Sequence, residues 1–191
     1  MDRNDYRVIA NNMKVHGLDL TREKLQINIP DAEDVLRLLL SERMGNNFTW
    51  LPEYSQIASW MADNKGRGLL LTGNVGRGKT EIGRNSMPIV IDRYCGLIVT
   101  CVDAVELYAR SKEFIDNYKP LCIDDLGTEK DAKSRDVFER LADQMEKRSR
   151  FLIVTTNLTT GEIRERYGDR VFDRLKGNTT CIVFKGDSMR G

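Results

Sequence analysis

The sequence predicts an α/β protein: a parallel sheet of five strands with helices over both faces. Three observations lead there. From Gly68 onward, short apolar runs (GLLLT, GLIVTCV, PLCID, FLIVTT, TTCIVF) alternate with stretches of helical periodicity. Each run is apolar without a polar-facing alternation, the pattern of a strand covered on both faces. A glycine-rich loop separates the first run from the first helix after it. At 191 residues the chain is long enough for one such domain and a short N-terminal extension.

Composition narrows the function classes. Hydrophobic residues make up 40% and charged residues 31%, with a formal net charge of +1. That balance excludes a chain-wide attraction to nucleic acid or anionic membrane, so any such contact must come from a local patch or an assembly. The N-terminus, MDRNDYRVIANN, has no apolar core to act as a signal peptide, and no apolar run approaches a membrane span. His16 is the only histidine, which rules out His-based metal centres and Ser-His-Asp catalysis. Cys95, Cys101, Cys122 and Cys181 form no C-x-x-C pair; three lie in strand-like runs and read as buried, reduced thiols of a cytoplasmic protein.

Taken in order, the first helix is expected near Asn4, with Tyr6, Ile9, Ala10 and Met13 at helical spacing and Gly17 as its stop. A second follows Pro30, where DAEDVLRLLL puts acids in the first turn. Its leucines are too many for a free surface helix, so it packs on the main domain or serves a partner. A third spans Glu53 to Asn64, with Tyr54, Ile57, Ala58 and Met61 on one face. The helix opened at Lys79 meets Pro88, which calls for a kink or an early end. After GLIVTCV, Asp103 and Glu106 can form a capping box. The helix it would start buries Ala104, Leu107, Tyr108, Ser111, Phe114, Ile115 and Tyr118. Val137, Phe138, Leu141, Ala142 and Met145 mark the inner face of the helix after PLCID.

The loop GNVGRGKT satisfies G-x-x-x-x-G-K-[ST] through Gly73, Gly78, Lys79 and Thr80. Its glycines let successive backbone N–H groups turn inward at a helix N-terminus, forming a concave anion site. Gly73, Asn74, Val75, Gly76, Arg77, Gly78, Lys79, Thr80 and Glu81 are the candidate nucleotide-binding residues. Lys79 would reach the β- and γ-phosphates of ATP and the Thr80 hydroxyl would ligate Mg²⁺. In LCIDDLG, Asp124 and Asp125 end an apolar strand, where ligands gather in open parallel sheets. Asp124 is the candidate Mg²⁺ partner and Asp125 can orient an attacking water; aspartates there also cap helices and form turns. In IVTTNL, Thr156 and Asn157 end the next strand, where Asn157 can touch the γ-phosphate or the water, although Thr-Asn also begins turns.

These elements, in the order IDDLGTE, TTNL and GDRVFDRL after the phosphate loop, resemble the ATPase domain of the DnaC/DnaI helicase loaders and IstB transposition helpers, members of the AAA+ class. The resemblance runs from about Glu53 to Arg190. It implies a three-layer α/β/α AAA+ P-loop NTPase over residues 51–191, with a minimal or absent lid, after a helical extension over residues 1–50. It also implies that Arg174 is an arginine finger reaching a neighbour's ATP and Arg190 a sensor arginine on the γ-phosphate of its own subunit. Arg170 is the fallback for either contact, and a solvated or ion-paired helix arginine is the plain alternative for all three. Many AAA+ enzymes carry Glu where this chain has Asp125, so slow hydrolysis is expected.

The function this implies is an ATP-driven, self-assembling switch on a replicative helicase or a transposase, with single-stranded DNA as a further partner and no membrane. Two other classes fit a phosphate loop: a module that holds ATP without cleaving it, and a small-molecule kinase. The kinase would need an arginine-rich lid that the sequence lacks between its third and fourth strands. Basic groups at Lys65 and Arg67, Lys147 to Arg150, and Arg164 to Arg170 are the candidates for DNA contact, each mixed with acids.

Overall fold

The computed structural model describes residues 24–45, 48–117, 120–130, 132–148 and 150–188. The helix expected over Asn4 to Gly17 and the side chain of Arg190 lie outside them. Helix α1 (Ala32–Met44) and α2 (Pro52–Ala62) precede β1 (Gly68–Gly73). A π-helical segment (Glu81–Ser86) runs into α3 (Met87–Cys95), followed by β2 (Thr100–Asp103). A 3₁₀ turn (Ala104–Ala109) leads to the short α4 (Lys112–Asn117), then β3 (Leu121–Leu126) and α5 (Ala132–Arg148). The chain continues through β4 (Leu152–Thr156), α6 (Thr160–Tyr167), α7 (Asp169–Asn178) and β5 (Thr179–Phe184).

All five expected strands pair in one parallel sheet of order β2-β3-β4-β1-β5. The apolar residues of β1, β3 and β4 divide alternately between two cores, whereas the edge strand β5 leaves Cys181 and Val183 exposed. Leu69 and Leu71 of β1, Cys122 of β3 and Ile153 of β4 join α1, α2 and α3 on one face. Leu70, Leu121, Ile123, Leu152 and Val154 join α5, α6 and α7 on the other. This is the three-layer α/β/α arrangement that uniformly apolar strands require. Helix α1 buries Leu36 and Leu40 in the first core beside Tyr54, Ile57, Ala58 and Met61 of α2, while Leu38 faces out.

Three local readings need correction. Asp103 makes no cap bond; its carboxylate takes the Arg84 guanidinium instead, and Glu106 pairs with Arg110. The helix expected from Ala104 onward is therefore split, and Ser111, exposed rather than buried, accepts from the Phe114 N–H at the start of α4. Pro88 does not end its helix but sits in the first turn of α3, after the π-helical segment. Of the four cysteines, all free, Cys122 is buried and Cys181 is exposed on the edge strand β5.

Candidate nucleotide site

The glycine-rich loop leaves β1, whose neighbours are β4 and β5, so the C-terminal ends of β1, β4 and β3 open side by side beneath it. Gly76 and Gly78 have φ of 76° and 86°, values that L side chains rarely adopt. A Cβ on Gly76 would also strike the Ser188 hydroxyl, and one on Gly78 would lie 3.1 Å from the Tyr54 hydroxyl. Lys79 is buried and its Nζ donates to the carbonyls of Gly73 (2.9 Å) and Asn74 (2.6 Å). A cavity of about 430 Å³ opens over the loop. Val75, Gly76, Arg77, Gly78, Lys79, Thr80 and Glu81 line it together with Asp125 and Asn157. Met44 and Asn85 complete the wall, neither singled out by the sequence.

The other candidates sit around it. β3 carries one residue more than β4 between Ile123 and Leu126, a bulge that places both aspartates at the strand end. Asp125 takes φ 52° there and faces the cavity. Asp124, only 4% exposed, accepts from the Thr155 hydroxyl at Oδ1 (2.5 Å); the same hydroxyl accepts from the Asp125 N–H (3.0 Å). Thr156 is spent on structure, donating to the Leu126 carbonyl (2.6 Å), and the exposed Asn157 next to it reaches the cavity. Asn74 and Arg77 tie the loop down at its rim. The Asn74 amide donates to Gly186 O (2.8 Å), and the Arg77 guanidinium faces Glu53 (3.6 Å) and Asp187 O (3.4 Å).

Electrostatics reinforce this geometry. The π-helical segment aims Arg84 at two carboxylates, Asp103 (2.6 Å) and Asp124 (3.9 Å). Burial pulls the Arg84 pKa down, but Asp103 and Asp124 outweigh it and the net shift is upward. Burial pushes the Tyr54 hydroxyl up to about 12. A hydrogen bond from Cys122 lowers the Cys101 thiol to about 7, with Arg84 adding to the same effect. Glu81 is gripped by Arg43 from the end of α1 and by Asn85. Behind the aspartates, buried Glu129 accepts from the Gly127 N–H (2.8 Å), from Arg166 (3.1 Å) and from the Tyr167 hydroxyl, binding the IDDLGTE loop to α6.

Arg174 stands apart from the cavity. It pairs with Asp143 and with Glu146 (2.7 Å) of its own chain and is 11% exposed, whereas Arg170 is 64% exposed and lies 3.4 Å from Asp143. Among the basic groups considered for DNA, Arg67 donates to Thr179 O (2.6 Å) and to Lys176 O (2.5 Å), Arg166 holds Glu129, and Arg164 pairs with Asp169. Sequence reasoning missed Arg84, Thr155, Met44 and Glu129. Glu129 stood inside the quoted IDDLGTE and Thr155 inside the quoted TTNL; Arg84 and Met44 belong to no recognised pattern and meet the site only through tertiary packing.

The fold is thus a parallel five-stranded sheet in a three-layer sandwich, with a glycine-rich loop at the end of β1 and an aspartate pair near the end of β3. No family model matches the chain, and no curated sequence does. Solved structures do. The DnaC helicase loader superposes with a TM-score of 0.54 at 21% identity, over 83% of this chain and 93% of that one. DnaI gives 0.53 at 19%, over 83% and 88%. A replication initiator DnaA, bound to AMPPCP and single-stranded DNA, gives 0.50 at 15%, over 63% and 41%. At these identities the likeness is one of fold. Among the described residues, no helix is long and apolar enough to cross a membrane.

Proposed function

We propose that the protein binds ATP in the 430 Å³ cavity and cleaves it as an assembly-dependent switch on a DNA-processing machine. The observation that carries this reading is convergence: a glycine loop at a helix start, with Asp125 of β3 and Asn157 beyond β4 on the same cavity wall. The loop's N–H groups and Lys79 would take the phosphates, Lys79 exchanging its carbonyl partners for β- and γ-oxygens. Asp125 would orient the water and Asn157 the γ-phosphate.

The donor set fits Mg²⁺. No group of three or more His, Cys, Asp or Glu gathers among the described residues, and a magnesium ion held against phosphates needs only one or two protein oxygens. Thr80 and Asp124 would provide them. Bound there, the ion would neutralise charge on the β- and γ-phosphates.

By analogy with helicase loaders of the same fold, and by the sequence resemblance to transposition helpers, the partner is a replicative helicase or a transposase, with single-stranded DNA beside it and ATP bridging copies of the chain. Completion of the site by Arg174 of a neighbour belongs to this proposal, as does a γ-phosphate contact by Arg190. A second reading, ATP binding without turnover, is favoured by one observation: Arg174 is already held by Asp143 and Glu146 of its own chain.

Calorimetry with ATP and magnesium tests the common ground. The wild type is expected to bind, and Lys79→Ala to lose at least about tenfold in affinity, the scale of a charge-assisted phosphate contact. A folded wild type that takes up no triphosphate ends both readings. Single-turnover hydrolysis by preassembled protein on single-stranded DNA separates them.

A further inference from the structure

Asp103 and Asp124 are direct neighbours, paired in register at the ends of β2 and β3. Two carboxylates so placed repel each other, and the buried Asp124 loses hydration as well. The Arg84 guanidinium enters between them. Its Nη1 is 2.6 Å from Asp103 Oδ1 and 3.9 Å from Asp124 Oδ2. Asp124 Oδ1 is already committed to Thr155, so Oδ2, the oxygen left for a cation, is the one that Arg84 faces.

The backbone holds Arg84 in this position. Gly83 lies so close to β4 that a Cβ there would come within 2.5 Å of the Thr155 methyl group. Pro88, four residues on, has no N–H to offer the Arg84 carbonyl in α-helical register, and the Cys101 thiol donates to that carbonyl instead (3.6 Å). The π-helical segment thus turns one long cation toward the strand ends.

We propose that Arg84 is a positioning residue that sets how readily the site accepts a divalent cation. It is a countercharge beside Asp124, and Asp103, which already holds the guanidinium at 2.6 Å, keeps it when the cation arrives. This rests on the nucleotide reading above. A guanidinium a few ångströms from the metal's carboxylate raises the magnesium concentration the site needs; Asp103 limits that penalty by drawing the guanidinium aside.

Two substitutions therefore act in opposite directions. Arg84→Gln removes the competing charge and is expected to lower the half-saturating magnesium concentration for nucleotide binding by about fivefold or more, the scale of a screened charge pair at short range. Asp103→Asn leaves the guanidinium to Asp124 alone and is expected to raise that concentration by about threefold or more. Arg84→Lys keeps the charge and stays within about twofold of wild type.

The experiment titrates free Mg²⁺ at pH 8 against a fluorescent ATP analogue, with circular dichroism confirming that each variant is folded. If Arg84→Gln and Asp103→Asn move the midpoint the same way, or neither moves it while the wild type binds, Arg84 is a structural ion-pair residue and the inference fails alone. If the folded wild type binds no analogue at any magnesium concentration, the nucleotide reading fails and takes this inference with it.

Discussion

Asp125 shows how one residue type can satisfy backbone and chemistry together. At φ 52° it occupies the left-handed region, which Asp and Asn enter more easily than longer side chains. The bulge in β3 imposes that conformation, and the result points a carboxylate at the cavity. A glutamate would be more strained in the same backbone. Asp125→Asn is therefore expected to keep the melting temperature within a degree or two while lowering hydrolysis, with ATP binding retained. Asp125→Glu is expected to lose about 1 kcal/mol of stability in chemical denaturation. A Glu variant as stable as wild type would show that the left-handed backbone places no demand on residue type. The aspartate pair was legible in the sequence because it closes an apolar run. The bulge was not, since it exists only relative to the register of β4. Arg84 was illegible for the same reason: nothing local marks which strand end it will meet.

At the scale of elements, the segment after the glycine-rich loop departs furthest from expectation. An ordinary amphipathic helix was expected there, disturbed at Pro88. The chain instead forms the π-helical segment and restarts as α3, and the disturbance carries Arg84 to the aspartates. Gly83 makes the close approach possible. Gly83→Ala would put a methyl group 2.5 Å from Thr155 Cγ2, on a β-branched side chain already fixed by its bond to Asp124. Overpacking of this kind costs about 1–3 kcal/mol. The variant is expected to melt several degrees lower and, because Thr155 must shift, to need more magnesium for nucleotide binding. An unchanged melting curve would mean that the segment can lift off β4 without cost. The positions of β1, β3 and β4 were read correctly because burial on two faces leaves a strong apolar signal, whereas only the last three residues of GLIVTCV belong to β2 and Ile98 before it is exposed. The break between the 3₁₀ turn and α4 was not, because Asp103 chose a distant guanidinium over its local cap.

Across the whole molecule two cores pack the two faces of the sheet, and the proposed catalytic contact reaches beyond one chain. Arg174 is packed against α5, bonded to Asp143 and Glu146, and its pKa is raised, first by the hydrogen bond to Glu146 and against the opposing effect of burial. A finger that serves a neighbour must leave both carboxylates, so its use in trans carries an entry cost that only a well-formed interface can offset. Turnover per subunit should then be low in dilute protein and climb with concentration. Arg174→Ala is expected to abolish the climb while leaving ATP affinity unchanged. Arg170→Ala is the natural comparison, because Arg170 is far more exposed and reaches the same Asp143. If that variant loses the climb and Arg174→Ala only melts earlier, the finger is Arg170 and Arg174 is a brace between α5 and α7. If neither changes a flat rate, ATP is held without assembly-driven cleavage, and the carboxylates around Arg174 are its permanent partners.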